Sequence, residues 1–270
     1  MYRRPNRGRE SGDGRANRQR RQPGGRRADN EGPLMTETRV VPIPVHAGPM
    51  TVNAYLLVGE RVVIVDTGIG GQAERVLAAL AEQGLRPSDV TLILLTHGHG
   101  DHAGSAAALR EATGAPVALG AGDEEKCRVG IDTEMEGRGF VGRSLLKLIR
   151  SRQNATPAGS KPAGPQADVI IAEERSLAGY GVDAVVVPTP GHTRGSLSVF
   201  TAAGDALVGD LLGGGGLSRK VPHRGIFVCD QAAMDASIEA LIARSPRLTY
   251  TGHDAEPYSL EQLRAAFPEF

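Results

Sequence analysis

The stretch His97-Gly98-His99-Gly100-Asp101-His102 places four potential metal ligands within six residues. It follows a short apolar run at 91–95 and precedes a helical pattern that begins at Ser105. In an α/β sheet, the point where a strand ends and a helix begins is the usual place for a functional site. Residues two apart in an extended segment point the same way, so His97 and His99 can converge on one ion. Since imidazole and carboxylate are zinc-type ligands, the stretch predicts a metal site.

Hydrophobic patterns on both sides of this stretch predict clusters of strands separated by helices. The strand patterns lie at 40–45, 52–58, 61–65, 91–95, 117–119, 182–187, 196–201, 206–208 and 248–250. Helical patterns lie at 73–83, 105–113, 140–152, 231–243 and 260–267. Pro42 and Pro44 indicate that the first strand lies at a sheet edge. Because the alternation occurs twice, the sequence predicts a layered α/β fold with two β-rich halves.

Four further motifs accompany the histidine stretch along the chain. One lies upstream, Val65-Asp66-Thr67-Gly68, and three lie downstream, Gly191-His192-Thr193, Gly209-Asp210 and Gly252-His253. In this order the five motifs resemble those of the metallo-β-lactamase superfamily, and the resemblance covers residues 53–258. It implies a four-layer αββα sandwich of two similar halves. The set is much more specific than any one motif alone.

The resemblance also implies two divalent metal ions, with zinc as the expected element, and divides the ligands between them. One ion would be held by His97, His99 and His192, and the other by Asp101, His102 and His253. Asp210 would bridge the two ions. Asp66 would lie behind the ligands and orient one of them or its loop.

By the same resemblance, a water or hydroxide between the ions would be the nucleophile, and Asp101 would be catalytic as well as ligating. A bound divalent ion can lower the pKa of water to roughly 7, and it polarises a substrate carbonyl. Likeness to glyoxalase II-like and lactonase-like members implies hydrolysis of an ester, thioester or lactone. The segment 211–216 lacks the Cys-Gly-Lys-Phe-Tyr-type stretch of glyoxalase II, and the tyrosine of the lactonases is also missing there. The substrate is therefore left open.

Two other functions remain as alternatives. One is a mononuclear iron dioxygenase acting on persulfides, which would use only His97, His99 and His192. The other is a non-catalytic binding module that uses the basic N-terminal segment. A binding module does not need a full set of metal ligands, so the intact motifs favour an enzyme.

Charge is distributed unevenly over the 270 residues, although Lys plus Arg and Asp plus Glu both total 31. Residues 1–34 contain ten Arg and four acidic residues, a net charge of +6, which leaves −6 for the rest. The first 34 residues show no apolar periodicity, which predicts a disordered tail before a hydrolase domain at 35–270. The acidic balance of that domain argues against a nucleic-acid partner and favours a small-molecule substrate.

Cysteine content and hydropathy indicate a compartment. Two cysteines cannot form a disulfide framework, so a reducing compartment is expected. No apolar run reaches the ~18 residues of a membrane span, and no apolar segment follows the N-terminal arginines as in a secretion signal. These features predict a cytoplasmic protein that does not associate with membranes.

The segment 123–167 lies between the metal motifs and is too irregular for the sheets. We expect it to form a lid over the site. Its helical pattern exposes Arg143 and Lys147, which would suit an anionic substrate. His223, in a basic loop after the bridging aspartate, is expected to be an exposed residue without a ligand role.

Overall fold

The protein is described from a computed structural model that covers residues 37–47, 50–129, 135–155, 166–213 and 221–270. The predicted tail at 1–34, residues 130–134 and 156–165 of the predicted lid, and 214–216 of the divergent segment lie outside the described residues. In the part of the chain that is described, no helix is long and apolar enough to cross a bilayer.

Sixteen strands occur among the described residues. They are β1 (Arg39–Ala47), β2 (Met50–Val58), β3 (Val62–Val65), β4 (Val90–Leu94), β5 (Val117–Gly120), β6 (Glu136–Gly137), β7 (Val169–Ile171), β8 (Arg175–Ser176), β9 (Ala184–Pro188), β10 (Leu197–Thr201), β11 (Asp205–Leu207), β12 (Leu212–Gly213), β13 (His223–Arg224), β14 (Phe227–Val228), β15 (Leu248–Tyr250) and β16 (Tyr258–Ser259).

Seven α-helices accompany them in the same part of the chain. They are α1 (Ala73–Glu82), α2 (Gly100–Ala103), α3 (Ala106–Thr113), α4 (Glu124–Val129), α5 (Gly139–Ala155), α6 (Gln231–Ala243) and α7 (Leu260–Ala266). Short 3₁₀ turns lie at Pro87–Asp89, Ala178–Tyr180 and Gly209–Leu211. The segment 123–167, irregular in sequence, contains α4, β6 and α5.

Two six-stranded sheets form the framework, in the orders β1-β2-β3-β4-β5-β7 and β16-β15-β11-β10-β9-β8. In the first sheet β1, β2 and β3 pair antiparallel, and β3, β4, β5 and β7 pair parallel. β1 lies at the sheet edge, as its prolines predicted. β3 and β5 are buried along their whole lengths, which is typical of parallel strands covered on both faces.

Three clusters of buried side chains separate four layers. One cluster joins the inner faces of the two sheets and includes Leu57, Leu94 and Val199. A second lies between the first sheet and α1 and α3, and a third between the second sheet and α6 and α7. The predicted αββα sandwich of two β-rich halves is therefore confirmed. Buried apolar surface contributes roughly 25 cal/mol per Å², and these three clusters hold the layers together.

The candidate ligands lie in loops at one edge of the sandwich. Asp66 follows β3 and the histidine stretch follows β4, while His192 lies between β9 and β10. Asp210 follows β11 and His253 follows β15, its parallel neighbour. The ends of parallel strands meet at one sheet edge, so distant parts of the sequence converge there.

Candidate metal centre

The histidine loop, which we define as residues 97–102, follows β4 and continues into α2. It is buried against the end of the first sheet. His97 is 1% exposed and His102 is 0% exposed. His99 is extended, with φ −74° and ψ 148°, and α2 begins at the next residue. The backbone thus changes from strand to helix inside the motif, and the rings of His97 and His102 on either side of this change lie 4.1 Å apart, measured between centroids.

His97, His99 and His192 form what we call the three-histidine group. Nε2 of His192 lies 3.0 Å from Nδ1 of His99. The ring centroid of His97 is 4.6 Å from that of His99 and 4.7 Å from that of His192. One nitrogen of each ring lies within 4.8 Å of the other two, which is the convergence a single ion requires.

Asp101, His102 and His253 form a second set, the carboxylate–histidine group. Oδ2 of Asp101 lies 3.6 Å from Nε2 of His253 and 4.0 Å from Nε2 of His102. Their ligand atoms also fall within 4.8 Å of one another. The Asp101 side chain is 32% exposed, so this group forms the more open side of the site.

Asp210 contacts both groups. Its Oδ1 lies 3.3 Å from Nε2 of His102, and its Oδ2 lies 3.2 Å from Nε2 of His253 and 3.6 Å from Nε2 of His192. One carboxylate therefore faces histidines of both sets, as a bridging ligand would.

In three of the candidate ligand histidines, the ring nitrogen Nδ1, on the side away from the other ligands, makes a hydrogen bond with another part of the protein. Nδ1 of His102 lies 2.8 Å from Oδ2 of Asp66. Nδ1 of His192 donates to the carbonyl of Phe227 at 2.9 Å, and Nδ1 of His253 donates to the carbonyl of Thr51 at 2.9 Å. Such bonds place the remaining lone pair on Nε2 and fix the direction of each ring.

Asp66 fits the supporting role expected for it. Besides His102, its carboxylate accepts hydrogen bonds from the backbone N and the hydroxyl of Thr96, both at 2.7 Å. Its backbone has a positive φ of 57°, a conformation that costs a non-glycine residue on the order of 1 kcal/mol. The network around this carboxylate offsets that strain and holds the start of the histidine loop.

Burial and charge divide the histidines into two protonation classes when no ion is bound. Burial lowers the pKa of His97 well below its usual range and that of His192 to about 4. Burial also opposes charge on His102 and His253, but Asp210 and the neighbouring carboxylates outweigh it. The pKa of His102 is therefore well above its usual range, and that of His253 is about 9. These two histidines in turn hold the pKa of Asp210 well below its usual range despite burial.

The residues present fit a divalent metal. Three buried ligand atoms, Nε2 of His97, Nε2 of His102 and Oδ1 of Asp210, lack a hydrogen-bond partner among the described residues. An unsatisfied buried polar atom costs about 1–3 kcal/mol. His97, His102 and Asp210 also offer ligand atoms within 4.8 Å of one another. His102 and Asp210 attract each other as a charged pair at 3.3 Å, but Nε2 of His97 has no such partner, and a cation among these imidazole and carboxylate donors would satisfy all three.

Two residues support the site without belonging to the motifs as ligands. Asn53 donates to the carbonyls of Thr251 at 3.1 Å and Asp254 at 2.6 Å, and so holds the loop of His253. Asp123, assigned from the sequence to the lid, is buried beside the histidine loop. Its only sequence signal is its place just after a parallel strand, where Asp66 and His97 also lie.

The remaining candidates lie away from the ligands. Arg143 and Lys147 are exposed on α5, and among the described residues they make no recorded contact with the ligand set. His223, expected to be an exposed loop residue, is half-buried in β13 because this strand pairs with β12. Its Nδ1 lies 2.7 Å from the carbonyl of Arg224, and it is not among the converging ligands.

Two proteins of similar sequence are named as hydrolases. Probable metallo-hydrolase YqgX from Bacillus subtilis is 29% identical over 174 residues, which cover 64% of this chain and 71% of that protein. A hydroxyacylglutathione hydrolase from Cereibacter sphaeroides is 34% identical over 142 residues. That match covers 52% of this chain but only 40% of the hydrolase, so the chain matches less than half of that enzyme.

Solved structures and a family model complete the comparison. Metallo-beta-lactamase family protein TTHA1429 from Thermus thermophilus superposes with a TM-score of 0.59 at 26% identity, covering 86% of this chain and 77% of that one. TTHA1623 in a di-iron-bound form superposes with a TM-score of 0.54 at 27% identity, covering 82% of this chain and 96% of that one. The family model of the metallo-beta-lactamase superfamily matches residues 47–253. The chain is a member of the metallo-β-lactamase superfamily.

Proposed function

We propose that this protein is a metal-dependent hydrolase of an ester, thioester or lactone that works with two divalent ions, zinc in the first instance. The observation that carries the proposal is the pair of ligand groups on either side of Asp210. Each group offers three donor atoms within 4.8 Å of one another. A single metal ion held by the three-histidine group would not account for the convergence of Asp101, His102 and His253.

The ligand assignment follows the two groups. His97, His99 and His192 would hold one ion, Asp101, His102 and His253 would hold the other, and Asp210 would contact both. Bound ions of this kind lower the pKa of a water molecule toward neutrality and polarise a carbonyl group. The hydrogen bonds of Asp66, Phe227 and Thr51 to the outer nitrogens keep the histidine rings in place during turnover.

Asp101 is the residue to which we assign proton transfer. Its side chain is 32% exposed, against 14% for Asp210, so it is the carboxylate that a substrate can reach more readily. During hydrolysis, water adds to the carbonyl carbon, the bond to the leaving oxygen or sulfur breaks, and one proton must move from the water to the leaving group. Oδ1 of Asp101, the oxygen not directed at His102 and His253, would accept that proton and deliver it.

The segment around α5 supports a substrate that carries an anionic group. α5 contains four basic residues and no acidic residue. Just before it, Nη1 of Arg138 is buried and has no hydrogen-bond partner among the described residues. The backbone N of Arg138 donates to the carbonyl of Ile226, and β6 pairs with β14, the strand whose Phe227 holds His192. The start of α5 is thus attached to the site, and we propose the part of 123–167 after Asp123 as its lid.

The relatives named hydroxyacylglutathione hydrolase favour thioesters within this class. The residues after the bridging aspartate differ from the glyoxalase II pattern, so glutathione is not assigned as the leaving group. We also propose that 35–270 forms the hydrolase domain.

Metal analysis followed by a substrate panel tests the proposal. The purified protein should contain up to two divalent ions per chain, and it should hydrolyse at least one member of a panel of esters, thioesters and lactones. Chelation should abolish turnover, and added zinc should restore it. Full activity in a metal-free sample would contradict the mechanism.

The same experiment distinguishes the proposed hydrolase from the alternative, an iron dioxygenase. Iron as the predominant metal, one ion per chain and oxygen uptake with a persulfide substrate would assign the three-histidine group to oxidation. Hydrolysis without oxygen uptake would exclude that alternative. Iron alone would not decide, because a structural neighbour is known in a di-iron form.

A further inference from the structure

A second buried carboxylate lies beside the histidine loop, outside the five motifs. Asp123 follows β5, directly precedes α4 and is 0% exposed. The strand order places β4 between β3 and β5. Asp66 and Asp123 therefore flank the histidine loop, one from each neighbouring strand.

The Asp123 carboxylate accepts hydrogen bonds from two different ligand loops. Oδ2 accepts from the backbone N of Gly98 at 2.9 Å and from the hydroxyl of Thr193 at 2.6 Å. Oδ1 accepts from the backbone N of Gly195 at 3.0 Å. Gly98 lies between His97 and His99, and Thr193 follows His192. One side chain thus joins the loops that carry the whole three-histidine group.

Glycine at two contact points allows this approach. A Cβ atom at Gly195 would lie 2.8 Å from Cβ and Cγ of Asp123, and one at Gly98 would lie 3.3 Å from Cβ of Asp123. A Cβ at Gly195 would also lie 2.7 Å from the carbonyl oxygen of Gly120, so a larger residue there would force this loop away from Asp123. At Gly98 the backbone O of Asp123 at 3.1 Å and the backbone N of Cys127 at 3.2 Å are nearer still, so a larger residue there would fit only after a shift of a few tenths of an ångström.

We propose that Asp123 is a positioning residue that sets the distance between the His97–His99 loop and His192. The inference rests on the proposed metal centre but not on any substrate. Asp66 contacts a candidate ligand directly, whereas Asp123 acts through the backbone on either side of three ligands. Hydrogen bonds to an ionised carboxylate are stronger than those between neutral groups. Removing the charge of Asp123 should therefore loosen both loops together.

Asp123→Asn, compared with Glu124→Gln, tests the proposal. Glu124 is the next residue, is exposed, and among the described residues accepts a hydrogen bond only from the nearby backbone N of Gly122, at 2.7 Å. Cobalt(II) is titrated into each metal-free variant, and His192→Ala identifies the binding step of the three-histidine group. In Asp123→Asn, affinity at that step should fall about 10- to 100-fold and its visible absorption should change. The other step, and both steps of Glu124→Gln, should match the wild type.

Thr193 provides a second variant in case Asp123→Asn does not fold. Thr193→Val should weaken the same binding step, and Thr193→Ser should restore it because the hydroxyl is kept. Amide hydrogen exchange of metal-free Thr193→Val should be faster at both Gly98 and Gly195. Unchanged cobalt affinity and absorption in Asp123→Asn and Thr193→Val would overturn the proposal and leave Asp123 with a structural role only. Hydrolysis is not measured, so a failure of the proposed enzyme activity gives a separate result.

Discussion

The three-histidine group and the carboxylate–histidine group lie side by side on Asp210 but differ in charge. Burial keeps His97 and His192 neutral near pH 7, because the pKa of each lies below its usual range. His102 and His253 face carboxylates and are protonated at that pH, since their pKa values are raised. His97 and His192 are therefore ready to accept a cation, whereas His102 and His253 must first lose protons.

The two groups also differ in how the fold holds them. Asp66 bonds directly to His102 of the second group, while Asp123 holds the loops of the first group through backbone and hydroxyl contacts. Two groups with similar donor atoms therefore differ in the pKa values of their histidines. Burial and nearby carboxylates, rather than residue type, decide whether a histidine nitrogen carries a proton or a free lone pair at neutral pH.

The largest effect is expected for Asp210→Ala, which removes the residue common to both groups. Both binding steps should weaken, and turnover should fall about a thousandfold or more, since the lost metal assistance is worth several kcal/mol. His223→Ala is the control, because His223 lies outside both groups, and it should retain near-normal kcat/KM. Equal losses in two folded variants would mean that the bridge is misplaced.

Gly252→Ala should separate the groups. A Cβ at this position would lie 2.6 Å from Cε1 of His102 and would contact Oδ1 of Asp210 even more closely, so the carboxylate–histidine group must shift. We expect its metal affinity to fall about 10- to 100-fold, with a smaller loss at the three-histidine group.

Gly100→Ala is the matched control for that substitution. A Cβ at Gly100 has no neighbour within 4 Å, although the residue lies inside the histidine stretch itself. Two-step metal titration by calorimetry should therefore give wild-type affinities. Equal losses in Gly252→Ala and Gly100→Ala would contradict the packing argument.

Acid should weaken the carboxylate–histidine group first. At pH 7 an ion entering it must displace protons from His102 and His253, so its affinity should fall up to about tenfold per pH unit for each displaced proton. This dependence should hold below pH 9, where His253 titrates. His97 and His192 of the three-histidine group should add little pH dependence down to about pH 4, where His192 becomes protonated.

Calorimetry in buffers of different ionisation enthalpy measures the protons released at each binding step. Binding at the second group should release about two protons, from His102 and His253, whereas His97 and His192 of the first group should release close to none. Equal proton release from both steps would remove the charge difference on which the comparison depends.

A moderate effect is expected from Arg143→Glu combined with Lys147→Glu on exposed α5. KM for anionic substrates should rise roughly two- to tenfold, because exposed charge pairs are worth up to about 1 kcal/mol each. The kcat should be kept, and a neutral substrate serves as the control. An unchanged KM for every substrate would leave α5 as scaffold, and a lower kcat would link it to the metal groups.

The smallest effect is expected from deleting residues 1–34. The segment has no apolar pattern with which to pack, and ordering it would cost roughly 1–2 kcal/mol per residue. Metal content and turnover should match the full chain. Loss of metal after the deletion would show that the segment contacts the domain.

The sequence by itself determined the fold class, the metal-site motifs and most helices and strands. Periodicity suffices where a local pattern and the tertiary environment agree. The helix at 231–243 matches α6 residue for residue, and the buried strand at 91–95 lies within one residue of β4. Spacing also suffices for the histidine stretch, because its donors are close along the chain.

The family resemblance implied how the donors group, but only the tertiary structure decided which of them are protonated and what holds them. The pairing of β11 with β15 brings Asp210 and His253 together, and the packing of the two sheets brings both to the histidine loop. Neither contact has a local signal. Asp123 looks like one more charged residue in an irregular segment, yet its carboxylate joins a loop 25 residues before it, at Gly98, to a loop 70 residues after it, at Thr193. Burial and long-range pairing are properties of the packed chain, so local sequence patterns do not contain them.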